Sequence, residues 1–171
     1  MTIRPTTPAD IPAITRIYAH AVTHGTATFE LEPPSEAEML RRFEKLRAGS
    51  FPYVVAEIDG AVAGYAYAGA FRERPAYRFT VEDSIYIAPE MHRRGIGRAL
   101  LKRLIAEAEA AGFRQMMAVI GDSAQAASIA VHRSCGFRDA GVFEAVGFKF
   151  GRWLDTVQMQ RALGPGATTA P

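Results

Sequence analysis

Residues 92–98, His-Arg-Arg-Gly-Ile-Gly-Arg, set Arg93, Arg94 and Arg98 around Gly95 and Gly97. They stand where a β-branched run stops and a leucine-rich run begins. That composition suits an anion. Consecutive backbone N–H groups at a helix start point at a ligand, and the helix dipole adds partial positive charge there. Glycine lets the ligand approach the main chain, and arginine charges the rim. A pyrophosphate is the natural guest. A Walker A loop would need Lys and then Ser or Thr after Gly97, where Arg98 and Ala99 stand. A dinucleotide fingerprint would need a third small residue in place of Leu100. Taken alone, the loop also fits a plain strand-to-helix turn with solvated arginines.

Two more groups carry chemistry. On a helix, Gln125, Ser128 and His132 share a face through i,i+3 and i,i+4 spacing. A histidine, with an ordinary pKa of about 6.5, can act as acid or base, and it can equally be a buried structural side chain. Arg72, Arg74 and Arg78 interleave with Phe71 and Tyr77. Arginine grips carboxylates in a bidentate way, although a solvated loop has the same composition. The lone Cys135 reads as packing, because nothing points to a nucleophile triad.

These residues need a frame. Thr7-Pro8-Ala9-Asp10 is a helix start with Pro at the first helical position, and Ile11, Ile14, Tyr18 and Ala21 follow at helical spacing. Ser35 opens a second helix containing Leu40, Phe43 and Leu46. Residues 53–58 and 61–71 read as a hairpin turning at Asp59-Gly60. Residues 80–88 are a central strand, and the helix 96–111 follows with Ile96, Leu100, Leu104 and Ala108 inward and Gly112 at its C-cap. A short buried strand (MMAVI) comes next, then a helix from a Ser123 cap to about Cys135, then strands near 137–144 and 151–160. Residues 164–171 show no periodicity and are expected to lack order. The order implies a single α/β domain over residues 1–163.

Composition excludes several classes. With 171 residues, 49% hydrophobic, the chain suits one core. A net charge of +2 gives no reason to expect nucleic-acid or membrane binding. No apolar run approaches a membrane span, and the N-terminus lacks a signal-peptide core. One cysteine excludes an internal disulfide and fits a reducing cytoplasm, and the His and Cys residues are too scattered for a zinc site.

The loop at 92–98 resembles the acyl-CoA pyrophosphate loop, Arg/Gln-x-x-Gly-x-Gly/Ala, of the GNAT N-acetyltransferases, with His92 where Arg or Gln is usual. Thr80-Val81-Glu82, "ASIAVHRSCGF" (127–137) and "GFKFGRWLD" (147–155) are similar to the phosphinothricin and methionine sulfone/sulfoximine acetyltransferases within that superfamily. The likeness covers residues 2 to about 163. It implies a mixed, splayed β-sheet flanked by α-helices, acetyl-CoA as co-substrate, no metal, a small amine as acceptor and a homodimer. By position, Ile85, Tyr86 and Ile87 offer main chain to the pantetheine arm. Residues Arg93, Arg94, Gly95, Ile96, Gly97 and Arg98 hold the pyrophosphate, with Gln125 (usually Asn in the family) and Ser128 nearby. Glu82 is the first candidate for general base, and a carboxylate paired with the 72–78 arginines is the alternative. His132 is the second candidate, as base or as proton donor to the thiolate. Phe29, Arg72, Arg78, Thr80, Val81 and Glu82 are expected at the acceptor. Lys149, Phe150, Arg152 and Trp153 are expected to reach the partner subunit's site. Two other readings stay open: acetylation of a protein N-terminus or another amine, and a non-catalytic acyl-CoA sensor. The presence of both Glu82 and His132 speaks against the sensor. A basic 72–78 loop speaks against a polyamine acceptor.

Overall fold

The computed structural model describes residues 1–171. Seven strands form one sheet: β1 (Thr2–Pro5), β2 (Tyr53–Ile58), β3 (Ala61–Ala70), β4 (Thr80–Ile87), β5 (Gln115–Gly121), β6 (Arg138–Lys149) and β7 (Arg152–Ala162). Their spatial order is β1-β2-β3-β4-β5-β7-β6. All neighbours pair antiparallel except β4 and β5, which are parallel. Helices α1 (Ile11–His24) and α2 (Glu36–Ala48) cover one face, and α3 (Ile96–Ala110) and α4 (Ala126–Ser134) cover the other. No helix is long and apolar enough to cross a membrane.

Alternation along the strands builds both cores. Tyr53 and Val55 of β2 pack toward α1 and α2, while Val54 and Ala56 pack toward α3. The stripe Ile96, Leu100, Leu104 and Ala108 is buried as its helical spacing predicts. At the Asp59-Gly60 turn both residues have positive φ, 52° and 78°, the pattern of a type I′ hairpin. Ser35 caps α2 by accepting from the Glu38 N–H.

Four expectations need correcting. Ser123 does not cap α4: its hydroxyl donates to Asp155 at 2.8 Å, and the helix starts at Ala126. The C-cap of α3 is Ala111, with Gly112 one step beyond at φ +86°. Strand β6 runs on to Lys149, because shifts in register after Asp139 and Phe143 let it keep pairing with β7. Residues 164–171 take turns instead of trailing free, and the Arg114 guanidinium donates to Thr169 and Ala170.

The pairing that matters most is an interrupted one. β4 meets β5 only from Thr80↔Gln115 to Asp83↔Ala118. Yet β4 stays paired with β3 as far as Ile87, and β5 with β7 as far as Gly121. Beyond Asp83 the two parallel strands part inside the sheet, and their facing main-chain groups lose each other as partners.

Candidate active site

The notch between β4 and β5 has main-chain walls: Ser84, Ile85 and Tyr86 on one side, Val119 to Gly121 on the other. The side chains of Ile85 and Ile87 pack into the α3-side core, so these residues meet a guest through their backbones. Gln125, at the N-cap of α4, and Ser128 and His132 within α4 all face this notch. The helical spacing in the sequence therefore places them together.

The glycine turn lies where β4 leads into α3. Gly95 has φ +77°, a conformation that an L side chain adopts only under strain. A Cβ built on Gly95 or Gly97 would meet nothing within 4 Å. The space over the helix start is therefore open to an anion. Arg93, Arg94 and Arg98 are exposed at its rim, and the side chain of Ile96 is buried, leaving its N–H for a ligand. His92 is held locally, with Nε2 3.2 Å from the Ile87 carbonyl. The turn could hold a pyrophosphate and the notch an amide-bearing arm, so the residues present fit an acyl-CoA. No group of three or more His, Cys, Asp or Glu side chains comes together to hold a metal ion.

Adjacent residues of β4 point to opposite faces of the sheet. Glu82 is half-buried on the α1/α2 side and forms no ion pair with Arg72, Arg74 or Arg78. Burial raises its pKa, the Asp83 charge raises it further, and Arg72 opposes both. Gly69 lies directly opposite Glu82 on β3, which leaves room beside the carboxylate. Asp83 points the other way and is buried, with Oδ2 3.0 Å from His132 Nε2. His132 Nδ1 lies 2.8 Å from the Ser128 carbonyl. Burial pulls the His132 pKa down, but the hydrogen bond and charge of Asp83, joined by the Ser128 carbonyl, outweigh it and leave the ring above the usual histidine value. A ring carrying both protons satisfies both acceptors. Locked in this way, His132 has no lone pair free to take a proton from a substrate.

Residues 26–29 pack over the end of β5. Phe29 packs so closely on Gly147 and Gly121 that a Cβ on Gly147 would run into its ring. Thr26 accepts from Gln125 Nε2 at 3.1 Å and donates to Asp122 at 3.0 Å. The Arg152 guanidinium donates to the same Asp122 at 2.7 Å. That carboxyl is held below the usual range, first by the Ala124 N–H and then by Arg152 and Thr26. Tyr18 Oη lies 2.9 Å from both Thr28 Oγ1 and Glu30, and Arg42 reaches Glu30 at 2.7 Å.

The other residues expected at the acceptor differ in how far their side chains are free. Val81 is fully buried in the α3-side core, so only its main chain can face a substrate. Thr80 is half-buried in the first register pair with Gln115. Arg78 stacks on Phe79 and donates to the Pro75 carbonyl, whereas Arg72 lies over Phe71 and Tyr77 with its charge felt at Glu82. Of the residues expected to reach a partner, Lys149 is buried within its own chain, and Arg152 pairs with Asp122 while its side chain stays more than half exposed. Phe150, Arg152 and Trp153 of that set present open side chains. Asp83 is the residue that sequence reading missed. Its signal was a carboxylate at an odd position of a strand whose other odd positions, Val81, Ile85 and Ile87, are apolar.

A family model described as an acetyltransferase (GNAT) domain matches residues 3–158. The phosphinothricin N-acetyltransferase of Alcaligenes faecalis is 54% identical over 99% of this chain and 86% of its own. The L-methionine sulfoximine/L-methionine sulfone acetyltransferase of Salmonella typhimurium is 43% identical over 95% of both chains. A crystal structure of a GNAT superfamily phosphinothricin acetyltransferase from Sinorhizobium meliloti, in complex with acetyl-CoA, superposes with a TM-score of 0.97 at 55% identity, over 99% of this chain and 92% of that one.

Proposed function

Because the chain belongs to the GNAT acetyltransferase family and is an N-acetyltransferase that uses acetyl-CoA, we propose that its acceptor is the free amine of a small amino-acid-like molecule of the phosphinothricin, methionine sulfoximine or methionine sulfone type. The observation that carries this reading is the place of Glu82: half-buried, unpaired, and one residue before the point where β4 and β5 part.

Acetyl-CoA supplies the acetyl thioester. A carbon–nitrogen bond forms and the carbon–sulfur bond breaks; the acceptor ammonium loses two protons, one to a base before attack and one that ends on the leaving thiolate. Glu82 takes the amine's proton, directly or through a water. Its raised pKa brings it closer to what proton removal from an ammonium demands. The main chain of Ile85, Tyr86 and Ile87 holds the amide-bearing arm, and residues 93–98 hold the pyrophosphate. Gln125 and Ser128 line the same notch. We assign His132 an electrostatic part: fixed by Asp83 as an imidazolium, it favours the negative charge that develops on sulfur. Arg72 meets the acceptor's carboxylate and Phe29 walls its side chain.

A homodimer belongs to the same reading. Val142, Phe143, Val146, Phe148, Phe150 and Trp153 are each at least half exposed on the edge strand β6 and the turn into β7. An apolar cluster of that extent on a sheet edge marks an interface. Sedimentation of Trp153→Glu should show the dimer falling to a monomer. The single buried thiol, Cys135, fits a cytoplasmic setting.

The test of function is thiol release from acetyl-CoA with a panel of amines. Phosphinothricin, methionine sulfoximine or methionine sulfone should outpace a peptide N-terminus and a polyamine by kcat/KM. A peptide or polyamine preferred over all three would overturn the acceptor assignment.

A further inference from the structure

We infer that Lys149 is a positioning residue for the acceptor, acting through the segment 25–30. The inference rests on the reading that this segment walls the acceptor pocket beside Glu82. Lys149 ends β6, and its side chain turns into the protein, where the residue is only 4% exposed. Its Nζ donates to the carbonyls of Gly25 and Thr28, each at 2.8 Å. It forms no ion pair, although the charge of Glu30 is felt there.

A buried ammonium is costly unless hydrogen bonds replace its water, and an apolar side chain of the same length would fill this space without that cost. Hydrogen bonding is what Lys149 adds. Residues 26–34 take part in no main-chain to main-chain hydrogen bond. The segment has no ladder of its own. One ammonium holding two carbonyls three positions apart fixes its course. That course delivers Thr26 to Gln125 and Asp122, Thr28 to Tyr18, and Phe29 to the surfaces of Gly121 and Gly147. Lys149 touches none of the reacting groups. It acts on them through the segment it holds.

The pyrophosphate turn and the free edge of β4 make no use of this contact, and this separation gives the test. Lys149→Met keeps the length of the side chain and removes the donors. With an accepted amine the variant should raise the acceptor KM about tenfold or more, since small misplacements of a binding wall are expensive. Acetyl-CoA affinity by calorimetry should stay within about twofold, with kcat changed far less than KM. Chymotrypsin should cut after Phe29 or Leu31 several times faster in the folded variant than in the parent. Lys149→Arg, which keeps donors, should recover part of the KM loss. Combining Lys149→Met with Phe29→Ala should cost less than the sum of the two, because both act through one segment. An unchanged acceptor KM overturns the inference, and so does a loss shared equally by acetyl-CoA affinity, acceptor KM and melting temperature. If the parent enzyme binds acetyl-CoA but acetylates none of the amines, the acceptor reading has failed. The proteolysis comparison then decides alone, and equal cleavage of the two proteins overturns the role of Lys149.

Discussion

In the proposed site the donor half rests mainly on one short stretch of chain, residues 84–98, backed by the end of β5 and one face of α4, and offers mostly backbone: the free edge of β4 and the N–H groups at the start of α3. The acceptor half comes from side chains that meet over long separations. Asp122 reaches Thr26 across 96 positions, and Lys149 reaches Gly25 across 124. The contrast follows from what each half must recognise. Amides and phosphates are the same in every acyl-CoA, and backbone groups serve them whatever the side chains become. An acceptor amine is defined by the shape around it, which only side chains can draw. The donor half should therefore tolerate side-chain exchange and fail when its backbone space is filled. The acceptor half should fail by single functional groups.

The largest test falls on Glu82. Glu82→Gln should lower kcat by about 10²-fold or more, the usual worth of a positioned base, with acetyl-CoA affinity unchanged by calorimetry. With a carboxyl whose pKa is raised by burial, the parent rate should climb with pH on a limb above the ordinary glutamate range, and the variant should lose that limb. A limb that survives Glu82→Gln and vanishes in His132→Phe would move the base across the strand and break the division between the two faces.

Next comes Gly97→Val. The open space over Gly97 would hold a β-branched side chain without disturbing the empty protein, so the fold should survive. Acetyl-CoA affinity should fall by about a hundredfold, equivalent to about 2.7 kcal/mol. Intact affinity would mean that the phosphates do not sit on this backbone.

Asp83→Asn probes the hinge between the halves and should destabilise the protein by about 2 kcal/mol at pH 6, the scale of a hydrogen bond to a charged group. The sign is set by His132, whose folded pKa is raised. The stabilisation from the pair is complete below the unfolded value of about 6.5 and is lost as pH rises through the folded value. Denaturant titrations of both proteins should converge toward alkaline pH, and a gap that widens there would reject a charged pair. The smallest effect is expected from Thr26→Val, which keeps the shape and removes the hydroxyl shared by Gln125 and Asp122. An acceptor KM raised about fivefold, near 1 kcal/mol, would match one lost hydrogen bond.

The same contrast explains what could be read from the sequence. The donor half is local, so its marks are local too: the stripe Ile96-Leu100-Leu104, the glycines at 95 and 97, and the three residues of one face of α4. The type I′ turn at Asp59-Gly60 was legible for the same reason. Contacts across the fold leave no such mark. Ser123 resembles a cap until Asp155 of β7 takes its hydroxyl. Lys149 resembles a surface lysine until the fold brings two carbonyls to it. Alternation could have assigned Glu82 and Asp83 to opposite faces, but not the partner of either. Strand β6 runs past its expected end because its irregular register with β7 is a tertiary fact.

The parting of β4 from β5 has a thermodynamic consequence. Most sheets keep unpaired backbone at their rims, where water serves it. Here a gap opens between two interior strands, after Asp83 and Ala118. A guest whose amides enter that gap binds the native chain and has little to hold on the unfolded one. Mass action then stabilises the fold by about 2.7 kcal/mol when the guest is a hundredfold above its dissociation constant. The supply of this guest thus adds to the stability of the fold as well as to turnover, and the chain without it is the form more open to unfolding and proteolysis.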